Sequence, residues 1–139
     1  MYAGTGLVRF EYKDFAFIGP ESLRAAEAAA CANEQGQFWP YHNILFANQM
    51  GENQGAFSKD TLQAFAAALA LDESAFNNCL DSGRYRNDIA AETATARERE
   101  VRSTPTLFFN GKKLEGAVPF EQLQPMIEAA IANSGTTTE

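Results

Sequence analysis

The sequence predicts an α/β fold. Two β-rich stretches near the ends of the chain enclose a long run of helical patterns. The dipeptide Asn110-Gly111 separates two short β-forming runs, which signals a tight hairpin. Prolines and cap residues divide the middle at helix-like intervals. The expected order is one strand, five helices, a β-hairpin and a last helix.

Residues 7–12 (Leu-Val-Arg-Phe-Glu-Tyr) alternate partly and favour strand. Residues 13–19 connect to a helix opened by Pro20, with Glu21 in its first turn and an alanine-rich run through Ala32. Gly36 stops that helix. A second is expected over residues 38–48, where Pro40 is tolerated only in the first turn. A loop rich in Gly, Asn and Gln follows. Ser58 is then a good N-cap for a helix that places Leu62, Phe65, Ala66 and Leu69 on one face. Asp72 caps the next helix, whose inner face is Phe76, Cys79 and Leu80, and Gly83 ends it. A longer helix is expected over residues 85–101, with a polar second half facing water.

Residues 106–109 read as a strand, Asn110-Gly111 as the turn and residues 112–115 as the return strand. Pro119 fits the first position of a final helix reaching about Ala132. Pro125 lies inside that helix and is expected to kink it or weaken its first turns. The polar tail, residues 134–139, is expected to be disordered.

A chain of 139 residues, 45% of them hydrophobic and 11 of them phenylalanine, is long enough and apolar enough for one folded domain. A net charge of -7 disfavours nucleic acid as a partner, because phosphate binding needs a basic patch. The run Arg97-Glu98-Arg99-Glu100 alternates in sign and reads as a solvated helix face. No apolar run reaches the ~20 residues that span a bilayer. Residues 1–15 carry charges where the apolar core of a signal peptide would lie.

No metal or cofactor site is expected. His42 is the single histidine, the two cysteines are distant, and together they do not assemble a zinc site. His42 lies among Trp39, Tyr41, Leu45 and Phe46 and reads as a packed helix residue. The glycines form neither a P-loop nor a dinucleotide fingerprint. Glu92, Glu98 and Glu100 are better explained by a solvated face than by a paired-carboxylate site.

Several segments, in order, resemble one family. They are the stretch from Tyr2 to Phe10 with Tyr12-Lys13-Asp14-Phe15, and Ala25 to Ala32 followed by Gln35-Gly36-Gln37-Phe38-Trp39. Tyr41-His42-Asn43-Ile44-Leu45-Phe46 and Cys79 to Tyr85 continue the series. Thr104-Pro105-Thr106 and Asn110-Gly111 complete it. Together they are similar to DsbA-like thiol-disulfide oxidoreductases, and they cover nearly the whole chain. The resemblance implies a thioredoxin-like fold over residues 1–133, with a helical insertion at about 20–101. It also implies a first strand and a helix carrying Cys-x-x-Cys, which no residues here match. The expectation is an N-terminally truncated domain, with residues 7–12 and 106–109 short of their common neighbour. That would leave strand edges that favour self-association.

By the same resemblance, Pro105 matches the cis proline that faces the redox cysteine, and the backbone of Thr104 would pair with a substrate peptide. The implied partners are protein or peptide thiols and disulfides, and the implied location is extracytoplasmic. Cys31 and Cys79 fall in helical segments, away from any helix N-terminus that would lower a thiol pKa. The preferred reading is a structural disulfide worth about 3–4 kcal/mol in the chain-entropy treatment. Two buried free thiols are the alternative, and a redox-active pair is a third. No catalytic residue is expected in this chain. The functional expectation is a DsbA-family domain that is inactive alone. The alternatives are a non-catalytic peptide-binding module, or a structural homodimer that completes its sheet between chains.

Overall fold

A computed structural model of the chain describes residues 2–134. They divide into a helical unit, residues 14–99, and a hairpin unit, residues 2–13 with 100–134.

The helical unit contains α1 (Pro20–Asn33), α2 (Phe38–Ala47), α3 (Lys59–Ala68), α4 (Glu73–Ser82) and α5 (Arg86–Glu98). Local chemistry sets most of these limits. Gly36 adopts φ +69° after α1, and the N–H groups of Gly36 and Gln37 donate to Asn33 O at 2.9 Å and Ala32 O at 3.0 Å. Ser58 Oγ accepts from Thr61 N at 3.3 Å and caps α3. Asp72 Oδ1 accepts from Ala75 N at 2.9 Å and caps α4. Gly83, at φ +61°, closes α4.

α1 is the central helix and packs against α2, α3, α4 and α5. Its alanines (Ala28, Ala29 and Ala32) let the neighbours approach closely. Larger side chains fill the core from the other helices. Tyr41, Leu62 and Phe76 are fully buried, and the Tyr41 hydroxyl donates to Leu62 O at 2.7 Å. That bond satisfies the one polar atom the ring brings inside. Burial pushes the Tyr41 phenol above its ordinary pKa. The Gln35 amide pairs with the backbone of Asp72 in both directions, at 2.8 and 3.2 Å, and so ties the end of α1 to the start of α4.

The hairpin unit contains β1 (Thr106–Phe109), β2 (Lys112–Glu115) and α6 (Phe120–Ser134), with a single 3-10 turn at Ala3–Thr5. β1 and β2 are antiparallel, with Phe109 opposite Lys112 and Thr106 opposite Glu115. Asn110 and Gly111 take φ +46° and +85°. Two successive positive φ values match the right-handed twist of the strands, and Asn-Gly is the pair that adopts them most easily. Along α6, Leu123, Met126, Ile127, Ala130 and Ile131 lie on one half-buried face.

Four expectations need correction. Residues 7–12 form no strand, and the only sheet among the described residues is β1–β2. Alternation creates two faces, but a strand also needs a neighbouring backbone to complete its ladder. The alternation survives on the charged side, where Glu11 pairs with Arg9 at 3.0 Å and Lys13 at 2.9 Å. α5 ends at Glu98 rather than near 101, and Glu100 turns to φ +58°. α6 starts one residue after Pro119, whose carbonyl accepts from Gln122 and Leu123, and it runs through Pro125 to Ser134. The tail reading therefore fails at Ser134, which is helical; residues 135–139 lie outside the described residues.

Candidate functional site

The candidate site is the approach to β1 in the hairpin unit. Thr104 and Pro105 are exposed, and the bond between them is cis. Pro105 O accepts from Gly116 N at 2.9 Å, which continues the β1–β2 pairing one step past the strand. Backbone groups in an antiparallel ladder alternate in direction. Pro105, Leu107 and Phe109 therefore face β2, while Thr106 turns toward the other edge. Thr104 makes no hydrogen bond among the described residues. Thr106 Oγ1 donates to Ser103 O at 2.7 Å and braces the loop from below. Lys113 Nζ donates to Glu100 O at 3.0 Å and fixes β2 to the start of the segment that leads into the loop.

This arrangement places an exposed backbone segment at the entry to a β-hairpin, where an extended peptide can add. It supplies no nucleophile. The two cysteines lie in the helical unit, where Cys31 of α1 and Cys79 of α4 form a disulfide with a Cα–Cα distance of 5.9 Å. Each is 1% exposed, so an attacking thiolate has no line of approach to either sulfur. Of the three readings of the cysteines, the structure takes the structural disulfide. Among the described residues, no cluster of three His, Cys, Asp or Glu side chains could hold a metal ion.

His42 is half-buried on α2, in a ladder of rings with Trp39 at 5.3 Å and Phe46 at 4.6 Å. It packs within its own helix, as its sequence neighbours suggested, but at the surface: Trp39 and Phe46 stay exposed. Glu92 is not a solvated residue. Its Oε2 accepts from Asp14 N at 2.8 Å, and Thr93 Oγ1 accepts from Ala16 N at 3.1 Å. Two α5 side chains thus satisfy alternate N–H groups of a segment that belongs to no sheet among the described residues.

Sequence reasoning passed over Glu27, which lies in the alanine run of α1 and is 2% exposed. Its Oε1 accepts from Arg86 Nε at 2.9 Å. A carboxylate inside a buried apolar stripe was the available signal, since such a group needs a cation.

Comparison with known proteins agrees with this geometry. The chain is 33% identical over 121 residues to a Na(+)/H(+) antiporter NhaA of Herminiimonas arsenicoxydans, covering 87% of this chain and 18% of that protein. It is 33% identical over 117 residues to Na(+)/H(+) antiporter NhaA 1 of Salinispora arenicola, covering 84% of this chain and 17% of that one. The chain thus spans less than a fifth of the length of these relatives. No helix among the described residues is long and apolar enough to cross a membrane. The family model described as Thioredoxin matches residues 1–129, from the 3-10 turn through the hairpin and into α6. With a proline loop leading into a β-hairpin, a helical unit inserted ahead of it and that match across nearly its whole length, the chain belongs to the thioredoxin family.

Proposed function

We propose that this domain is the substrate-accepting part of a DsbA-type thiol-disulfide oxidoreductase, with proteins or peptides bearing thiols and disulfides as its substrates. One observation carries the reading: Thr104, next to the cis bond at the entry to β1, is exposed and makes no hydrogen bond among the described residues. An extended peptide adds there as a further strand, held by main-chain hydrogen bonds and therefore with little dependence on its sequence. The buried Cys31–Cys79 bond holds the helical unit together and does not exchange with substrate. Thiol transfer then requires a redox pair other than these two cysteines. A structural disulfide also fits an extracytoplasmic location, where such bonds persist.

The test is binding of a fluorescent unfolded peptide, followed by anisotropy. Saturable binding is expected. Thr104→Pro removes the N–H donor at the edge and should weaken binding about tenfold, the equivalent of one or two net hydrogen bonds. Equal affinity in the variant would overturn the reading. In the same preparation, insulin reduction that is lost on replacement of both cysteines by serine, in protein that still folds, would contradict the assignment of these cysteines as structural.

The two-stranded sheet and the exposed Leu7 support a second reading, in which another copy of the chain extends the sheet. Sedimentation as a monomer at micromolar concentration would exclude it. The antiporter relatives favour a setting beside a membrane transporter for either reading.

A further inference from the structure

The helical unit contains a cavity of about 120 Å³ that peptide binding at the hairpin does not use. It opens where α1, α3, α4 and α5 converge. Leu62 and Leu80 form its apolar floor, and both are buried. The remaining lining is charged: Arg24 and Glu27 from α1, Lys59 from α3, Asp81 from α4 and Arg86 from α5.

The charges do not cancel. Lys59 pairs with Asp81, and Arg86 pairs with Glu27. Arg24 has neither an ion pair nor a hydrogen bond among the described residues, so the lining holds one positive charge in excess. That excess stands out in a chain of net charge -7. Arg86 spends only Nε on Glu27, and its two Nη groups make no further bond among the described residues. Glu27 is itself buried, so it orients the Arg86 guanidinium before any ligand arrives.

We propose that this cavity binds a singly charged oxyanion between the guanidinium groups of Arg24 and Arg86. A planar guanidinium presents paired donors that match two oxygens of a carboxylate or a phosphate. Glu27 and Asp81 oppose a second negative charge, which limits the ligand to a monoanion. Two sources present that chemistry: dihydrogen phosphate, and the carboxylate of a peptide.

The test uses the intact chain at constant ionic strength, read by the 1H–15N signals of the arginine Nε–H groups. One arm titrates inorganic phosphate at mildly acid pH. The other titrates a short peptide with a free C-terminal carboxylate, and its amide as a control. Saturable shifts confined to Arg24 and Arg86 are expected in at least one arm. Saturation with phosphate alone identifies the free anion; saturation with the acid but not the amide identifies the peptide terminus. Arg24→Gln should weaken binding about tenfold, the loss of a charged hydrogen bond, whereas Arg9→Gln in the hairpin unit should change nothing. Arg24→Lys, which keeps the charge and loses the paired donors, should fall between. Linear, unsaturated shifts in both arms overturn the proposal, as does unchanged affinity in Arg24→Gln.

Discussion

The helical unit and the hairpin unit use their apolar residues differently. In the helical unit, large side chains such as Tyr41, Leu62 and Phe76 are sealed from water and a disulfide joins two of the helices. In the hairpin unit, Val101 alone among the described residues is buried. All four residues of β1 are half-buried, and α6 has an apolar face with no fully buried member. The cause is geometric. Four short helices around an alanine-rich one can enclose a core, because each lays one stripe against α1. A two-stranded ribbon has two faces and two edges, and too few neighbours to cover them. The unit with the enclosed apolar core carries the disulfide, and the unit with the half-buried ribbon carries the candidate peptide site.

The sharpest way to break this contrast is to empty one position in each unit. Phe76→Ala should cost about 3–5 kcal/mol, the range for deleting a buried ring. Leu107→Ala, at a half-buried position, should cost roughly 1 kcal/mol. Denaturant unfolding followed by the fluorescence of Trp39, the single tryptophan, reads the first, and amide exchange in β1 reads the second. Equal costs would mean that the hairpin unit has as firm a core as the helical one.

The disulfide is the next largest effect. Replacing both cysteines by alanine should remove about 3–4 kcal/mol through the freed chain entropy of the unfolded state. The loss should appear in the Trp39 transition while peptide binding at Thr104 persists in the folded fraction. Loss of binding by fully folded protein would assign the disulfide a part in the site.

The smallest effect sharpens the account of helix ends. Ala70 follows α3 at φ +53°, with its N–H donating to Ala67 O and that of Leu71 donating to Ala66 O. That position favours glycine, because a Cβ is crowded in left-handed backbone. Ala70→Gly should raise stability by about 0.5–1 kcal/mol, measured as a higher midpoint with unchanged slope. A lower midpoint would show that the flexibility gained by the unfolded chain outweighs the relief of strain.

Local signals were legible wherever a single short segment carries the cause. Ser58 and Asp72 cap the helices they were expected to cap, and Asn110-Gly111 makes the turn it was expected to make. The proline loop could be recognised by resemblance, because its residues are contiguous. Residues 7–12 were misread because a strand is a property of two segments, and only one of them was visible in the pattern. Glu92 was misread for a related reason: the partner of its carboxylate, the Asp14 amide, lies far away in sequence. Nothing near the right end of α5 marked its stop, since Glu100 adopts positive φ without being Gly or Asn.

The sequence by itself determined the order of the helices, the hairpin with its turn, the helix caps and the family. Each of these depends on residues within a few positions of one another, or on a contiguous pattern read in order. Only the tertiary structure decided that Cys31 meets Cys79 and that Glu27 holds Arg86 beside an unpaired Arg24. It also decided that Thr104, exposed beside the cis bond, makes no hydrogen bond among the described residues. Those facts depend on which distant segments come within a few ångströms, and that is set by how the helices pack around α1, which no local pattern specifies.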